Sequence, residues 1–321
     1  MNRRIFFKWL LAGAGTVGAG HILGRYFLTV CPVTILGVPD YQRDFSRDLA
    51  KIMKDDGLIL KGKTVLLKPN FVEVHQNRPI NTDVRFIANV AEACFLMGAR
   101  EVAVGEAAGH RRDPWFSVHH PSLKAILDKR VKCLDLNHSE TVEVPNKGLF
   151  TMLRSFFIPR PISEADVFIN LPKMKTHHWV GVTLSLKNLF GTVPGIVYGW
   201  PKNVLHFQGV ENSILDLACT IRQDYSIIDG IIGMEGDGPI LGTPKPVGAV
   251  IMGKYPLAVD TTAARIMGFN PLKTPYLSSA GLLFPGLNEE SIRQQGETTG
   301  KFASPFACLA SLRNFQEPDL W

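Results

Sequence analysis

The residues with the most chemical potential lie together between Leu171 and Gly195, in LPKMKTHHWVGVTLSLKNLFGTVPG. This span holds three lysines (Lys173, Lys175, Lys187), a histidine pair (His177, His178), the amide Asn188 and several glycines. Lysines attract carboxylate or phosphate, and imidazoles move protons or bind metals near neutral pH. Directly before it runs DVFIN, Asp166 to Asn170, an apolar stretch of strand type. A polar cluster that follows a strand lies at the carboxyl edge of a sheet, where α/β proteins bind ligands. The segment is therefore read as a site for an anionic ligand or cofactor.

Other polar groups also fall where strands end. Lys68-Pro69-Asn70 closes KTVLL, Glu106 and His110 follow EVAVG, and Glu235 and Asp237 follow YSIIDGIIGM. In a parallel sheet those ends share one edge, so residues distant in sequence converge. Lys68, Asn70, Lys173, Lys175, Lys187, Asn188 and Glu235 are expected to contact the ligand or cofactor. His110, His177 and Lys187 are the expected catalytic groups. Lys187, beside apolar Leu186 and Leu189, would pair with an anion or act as an amine nucleophile if desolvation lowers its pKa. The spacing from His177 to Lys187 predicts a turn and a short helix that bring Lys187 back to the site. His110, His177 and His206 form a candidate metal-binding set. Asp260, near the start of a helical segment, reads as a capping or dipole residue.

Strands and helices must place these groups. Val33 to Val38 reads as a strand, followed by helical spacing at Phe45, Leu49, Ile52 and Met53. Lys63 to Asn70 is a buried strand. Asn81 or Thr82 is expected to cap the helix that Gly98 closes. Glu101 to Gly109 is a further strand, and less regular chain runs from Pro114 to Arg160. Beyond DVFIN, a helix is expected near Val210 to Arg222, strands at Tyr225 and from Lys245 to Gly253, and a helix from Leu257 to Met267. The alternation predicts an α/β protein: parallel or mixed sheets with flanking helices, in two lobes around a central cleft. The expected division is residues 31–160 and 161–321, after a leader of residues 1–30.

That leader carries Arg3, Arg4, Phe6 and Lys8 ahead of an apolar stretch from Trp9 to Leu23. It resembles a twin-arginine export signal, a route that carries folded and cofactor-loaded proteins. No A-x-A cleavage site stands out, which leaves room for the segment to be retained as a membrane anchor. The expected location is the periplasm or the outer face of the cytoplasmic membrane, with the twin-arginine machinery as a partner. Of the net charge of +6, four positive charges (Arg3, Arg4, Lys8, Arg25) belong to the leader, leaving +2 for the rest of the chain. That balance gives no support to nucleic-acid binding. Five scattered cysteines without a C-x-x-C encode neither an iron–sulfur cluster nor a cysteine zinc site. Neither a phosphate-loop nor a G-x-S-x-G motif is present.

The series VLLKPN, NTD, the Leu171–Gly195 segment, DGIIGMEGDGP and AVDTTAARIMGF resembles the domain of unknown function 362 family, over Lys63 to Phe269. That resemblance implies a fold and a site position; it does not imply a reaction. A weaker similarity, to the nickel-pincer lactate racemases, rests on Gly109-His110-Arg111, His177 with Gly181, Lys187, and Pro194-Gly195. It implies that Lys187 anchors a pincer-like nucleotide and that His110, His177 and His206 serve a metal ion or proton transfer. The racemases have a double glycine before the lysine, whereas this chain has Leu184-Ser185-Leu186. The combined expectation is an exported enzyme acting on a small anionic substrate with a metal or nucleotide-derived cofactor. The alternative is a binding or accessory protein that captures an anion without chemistry.

Overall fold

In the computed structural model, described here for residues 29–73, 75, 78–109 and 130–317, one large mixed sheet organises the chain. Its twelve-strand numbering is β1 (Cys31–Gly37), β2 (Thr64–Pro69), β3 (Glu101–Glu106), β4 (Val131–Asp135), β5 (Thr141–Pro145), β6 (Ser155–Pro159), β7 (Val167–Leu171), β8 (Lys173–His177), β9 (Gly181–Thr183), β10 (Tyr225–Glu235), β11 (Thr243–Gly253) and β12 (Ile292–Gly296). The main sheet runs β12-β1-β11-β10-β7-β2-β3-β4, with β8 on β10 and β9 on β8; β5 and β6 form a separate hairpin. The block β10-β7-β2-β3-β4 is parallel, while β11 is antiparallel to both β1 and β10. Strands from residues 31–160 and 161–321 interleave in this sheet, since β7 pairs with β2 and β1 with β11 and β12.

The helices that matter to the site are α1 (Ser46–Asp55), α2 (Val84–Leu96), α3 (Ser185–Asn188), α4 (Asn203–Phe207), α5 (Val210–Thr220) and α6 (Pro256–Ile266). Strand alternation sends Val65 and Leu67 to one face, where they pack with Phe45, Leu49, Phe86 and Val90 of the α1–α2 layer. Leu66 turns to the other face and joins Phe168, Ile214, Leu217 and Val259 of the α5–α6 layer. Helices thus cover both faces, as a parallel sheet requires. The cap of α2 is Asp83, whose side chain accepts the N–H of Arg85. The two residues expected to cap it do other work. Asn81 accepts from Val72 N, and Thr82 links Asn70 N to Leu171 O.

One topological fact places the site. From β2 the chain moves outward to β3 and β4, then returns to β7 on the opposite side of β2. The order therefore reverses between β2 and β7, and a crevice opens beyond their carboxyl ends. Lys68 and Asn170 are register partners there, and Glu106 ends the next strand.

Candidate functional site

Beyond the β2–β7 switch point, the chain bends at Pro172 and continues as β8 alongside β10. β8 carries Lys173, Lys175 and His177 in alternation, so all three share one face. A turn at 178–180 leads into β9, and α3 then returns Lys187 to the same cavity. Asn188, next to it, forms a brace at the crevice. Its Nδ2 donates to Asn170 Oδ1 at 2.7 Å and Pro69 O at 3.2 Å, and its Oδ1 accepts from Asn70 Nδ2 at 2.8 Å. From α6, Asp260 accepts the N–H groups of Ser185 and Leu186 at 2.7 and 2.9 Å, which closes the start of α3. The short helix is thus held at both ends by residues from other elements.

These elements enclose a cavity of about 170 Å³. Lys175, Lys187 and Lys202 line it, with His177, His178 and His206 on the same wall and Glu106 as its lone carboxylate among the described residues. Glu106 is already committed. Its Oε2 accepts from Lys68 Nζ at 2.9 Å and from Phe71 N at 3.0 Å, with both charged side chains fully buried. Burial pushes the Glu106 carboxyl up and the Lys68 amine down, while their contact opposes both shifts. Three lysines therefore face the cavity with no free carboxylate among the described residues to balance them. Burial drives the Lys175 ammonium well below its ordinary range, reinforced by Lys187 and Lys173. Burial brings Lys187 and Lys202 each down to about 7.

The two flanking imidazoles adopt opposite tautomers. The Trp179 N–H donates to His177 Nδ1 at 3.2 Å, so neutral His177 carries its proton on Nε2. His206 Nδ1 contacts Lys202 O at 2.9 Å; a carbonyl only accepts, so that nitrogen holds the proton and Nε2 keeps a lone pair. Burial and then the Lys187 charge hold His177 well below the usual imidazole range, and burial lowers His206 as well. Trp179 bridges the rings, with centroids 6.1 Å from His177 and 5.3 Å from His206. Three buried polar atoms on the cavity wall, Asn70 Oδ1, Glu106 Oε1 and Thr183 Oγ1, have no hydrogen-bond partner among the described residues.

The expected site residues divide clearly. Asn70, Lys175, His177, Lys187, Asn188 and His206 line the cavity, and Lys68 stands behind it through Glu106. Lys173 does not line it. Its Nζ donates to Asp229 and Tyr41 at 2.8 Å each, inside a closed buried network. Glu235 also lies elsewhere, accepting from Ala307 N at 2.9 Å and pairing with Lys245 at 3.4 Å. His110 lies outside the described residues, as do the leader and residues 111–129. Lys202, Thr183 and Glu106 escape the sequence reading as ligand contacts; the strand-end position of Glu106 was the available signal, and nothing local marks Lys202.

The sequence profile of the domain of unknown function DUF362 matches residues 65–265. The chain belongs to the DUF362 family. This DUF362 protein is 35% identical over 239 residues to the thylakoid-associated protein sll1697 of Synechocystis sp., covering 71% of this chain and 69% of that one. Among solved structures it is similar to the lactate racemase apoprotein of Thermoanaerobacterium thermosaccharolyticum, with 9% identity and a TM-score of 0.41. That match covers 63% of the DUF362 protein and spans half the length of the racemase chain. Among the described residues, no three His, Cys, Asp or Glu side chains gather to hold a metal ion. A cavity of about 170 Å³ is also smaller than the roughly 300–1,000 Å³ of sites that enclose drug-sized ligands. The described residues therefore enclose less volume than a nucleotide-sized group occupies.

Proposed function

We propose that the cavity is the active site of an enzyme that binds a small organic anion and moves a proton on it. The observation that carries this reading is the charge count: Lys175, Lys187 and Lys202 face one small cavity whose carboxylate already pairs with Lys68. Burial already lowers these amines, and an anion in the cavity would restore their protons and balance the charge. Lys175 donates to Ile80 O at 2.8 Å and keeps donor capacity for a carboxylate oxygen. The unpartnered acceptors Glu106 Oε1 and Asn70 Oδ1 suit a hydrogen-bond donor on the same ligand. His206, with its free Nε2, suits proton abstraction, and His177 offers an N–H to developing negative charge.

Calorimetry with sulfate as the probe tests the first half. Binding should take up protons near pH 7, because an anion raises lysine pKa values that burial has lowered. Absence of binding would remove the reading. Incubating small carboxylates in D2O tests the second half, with deuterium incorporation followed by NMR. Sulfate binding without exchange on any carboxylate would favour the non-catalytic capture of an anion.

For location, the paired arginines of the leader and the thylakoid association of the Synechocystis relative support an exported, membrane-associated protein. No helix among the described residues is long and apolar enough to cross a membrane. Attachment would then rest on residues 1–30. Cell fractionation of an Arg3→Lys, Arg4→Lys variant tests this; an unchanged distribution would overturn the twin-arginine route.

A further inference from the structure

Five lysines surround the carboxyl edge of the sheet, and four of them have an acceptor for Nζ. Lys68 donates to Glu106 and Pro69 O, Lys173 to Asp229 and Tyr41, Lys175 to Ile80 O, and Lys202 to Asn137 Oδ1 at 3.0 Å. Lys187 is different. Among the described residues no carboxylate, carbonyl or amide accepts from it, and its Nζ lies 3.6 Å from the centroid of the Phe190 ring. The other four are buried, while Lys187 keeps partial exposure towards the cavity. An aromatic face offers weaker compensation than a carboxylate, and it leaves the nitrogen lone pair unengaged once the proton departs. Nearby Lys68 adds repulsion to the desolvation that brings this amine to about 7. A desolvated lysine beside a second cation is the setting in which an amine becomes a nucleophile at neutral pH.

Resting on the small-anion reading above, we propose that Lys187 condenses with the ketone or aldehyde carbon of an oxo-bearing anion, such as a 2-oxo acid, to form an imine. The Nζ lone pair attacks the carbonyl carbon, and the C=O π pair moves to oxygen, which takes up a proton. The resulting carbinolamine loses the remaining N–H proton as the C=N bond forms, and the C–O bond breaks with release of water. The balance is amine plus carbonyl to imine plus water, with no oxidant or reductant. His206 Nε2 holds a lone pair on the same wall and can relay the proton from nitrogen to the departing hydroxyl. Lys175 and Lys202 remain to hold the carboxylate. The imine also withdraws electrons from the adjacent carbon, which would ease the proton transfer proposed for the site.

Glyoxylate, the smallest 2-oxo acid, is the probe, used with cyanoborohydride near neutral pH on the full chain. Peptide mass mapping should find the reduced adduct on Lys187 at about tenfold or more above exposed Lys51, in keeping with an amine activated by desolvation. Sulfate should protect Lys187, and Lys187→Arg should lose the adduct while keeping its fold by circular dichroism. Sulfate binding with adducts spread evenly over exposed lysines, or with none on Lys187, would overturn the imine and leave the anion site standing. Failure of sulfate to bind would instead remove the anion reading beneath it.

Discussion

Asp260 accepts the backbone N–H of Ser185 at 2.7 Å, which ties α6 to the first turn of α3 across 75 residues of sequence. α3 has only four residues, too short to hold itself together in water. The position of Lys187 therefore depends on a carboxylate donated by another element. Asp260 is fully buried, and desolvation raises its pKa to about 7 despite the N–H bonds from Leu186 and Ser185.

The first prediction concerns that carboxyl. Its folded pKa lies above the unfolded value, so the folded state binds the proton more tightly. The stability this contributes is fully present below the unfolded pKa of roughly 3.9 and is lost as pH rises through about 7. Urea titrations of Asp260→Asn between acid and neutral pH should lack that slope. The variant should also lose about 1–2 kcal/mol through the weakened cap. A slope equal to that of the parent chain would count against this assignment.

A second prediction separates two lysines that sequence placed in one group. Lys173→Met strands Asp229 in the core and should cost about 3–5 kcal/mol. Lys187→Met removes an amine whose company among the described residues is an aromatic ring, and its melting temperature should hold or rise. Sulfate affinity should fall at least tenfold in Lys187→Met, since one of the three lysines that an anion would engage is gone. Thermal melts and calorimetry on the two variants decide the matter.

The Lys68–Glu106 pair leads to a third. Glu106→Gln keeps the shape but leaves a buried ammonium without its counter-charge, for a loss of roughly 3 kcal/mol or more. The cavity then carries still more net positive charge. Its sulfate affinity should rise even as the protein becomes less stable, a split that simple unfolding would not produce.

Gly191 supplies the fourth. A Cβ there would meet Glu106 Oε1 at 1.8 Å and Lys68 Nζ at 2.6 Å, so the backbone must pass this close to the ion pair. Gly191→Ala should cost about 1–3 kcal/mol by overpacking. Gly300→Ala, where nothing lies within 4 Å of the added carbon, should be close to neutral. Equal melting temperatures for the two variants would contradict this geometry.

Sequence by itself determined the alternation of strands and helices, because hydrophobic periodicity and strand-ending residues act over a few positions. It also placed Lys68, Asn70, His177, Lys187 and Asn188 at one edge, since every parallel strand ends on the same side. Lys173 and Lys175 looked alike for the same reason: they share a strand face two residues apart. Tertiary structure alone separated them, because Asp229 and Tyr41 reach Lys173 from distant parts of the chain whereas the Ile80 and Pro239 carbonyls reach Lys175. It likewise brought in Lys202 and committed Glu106 to Lys68. Local patterns encode which residues stand at the edge, whereas charge compensation depends on which partner arrives through space, and that decides which lysine holds the fold and which one faces the cavity.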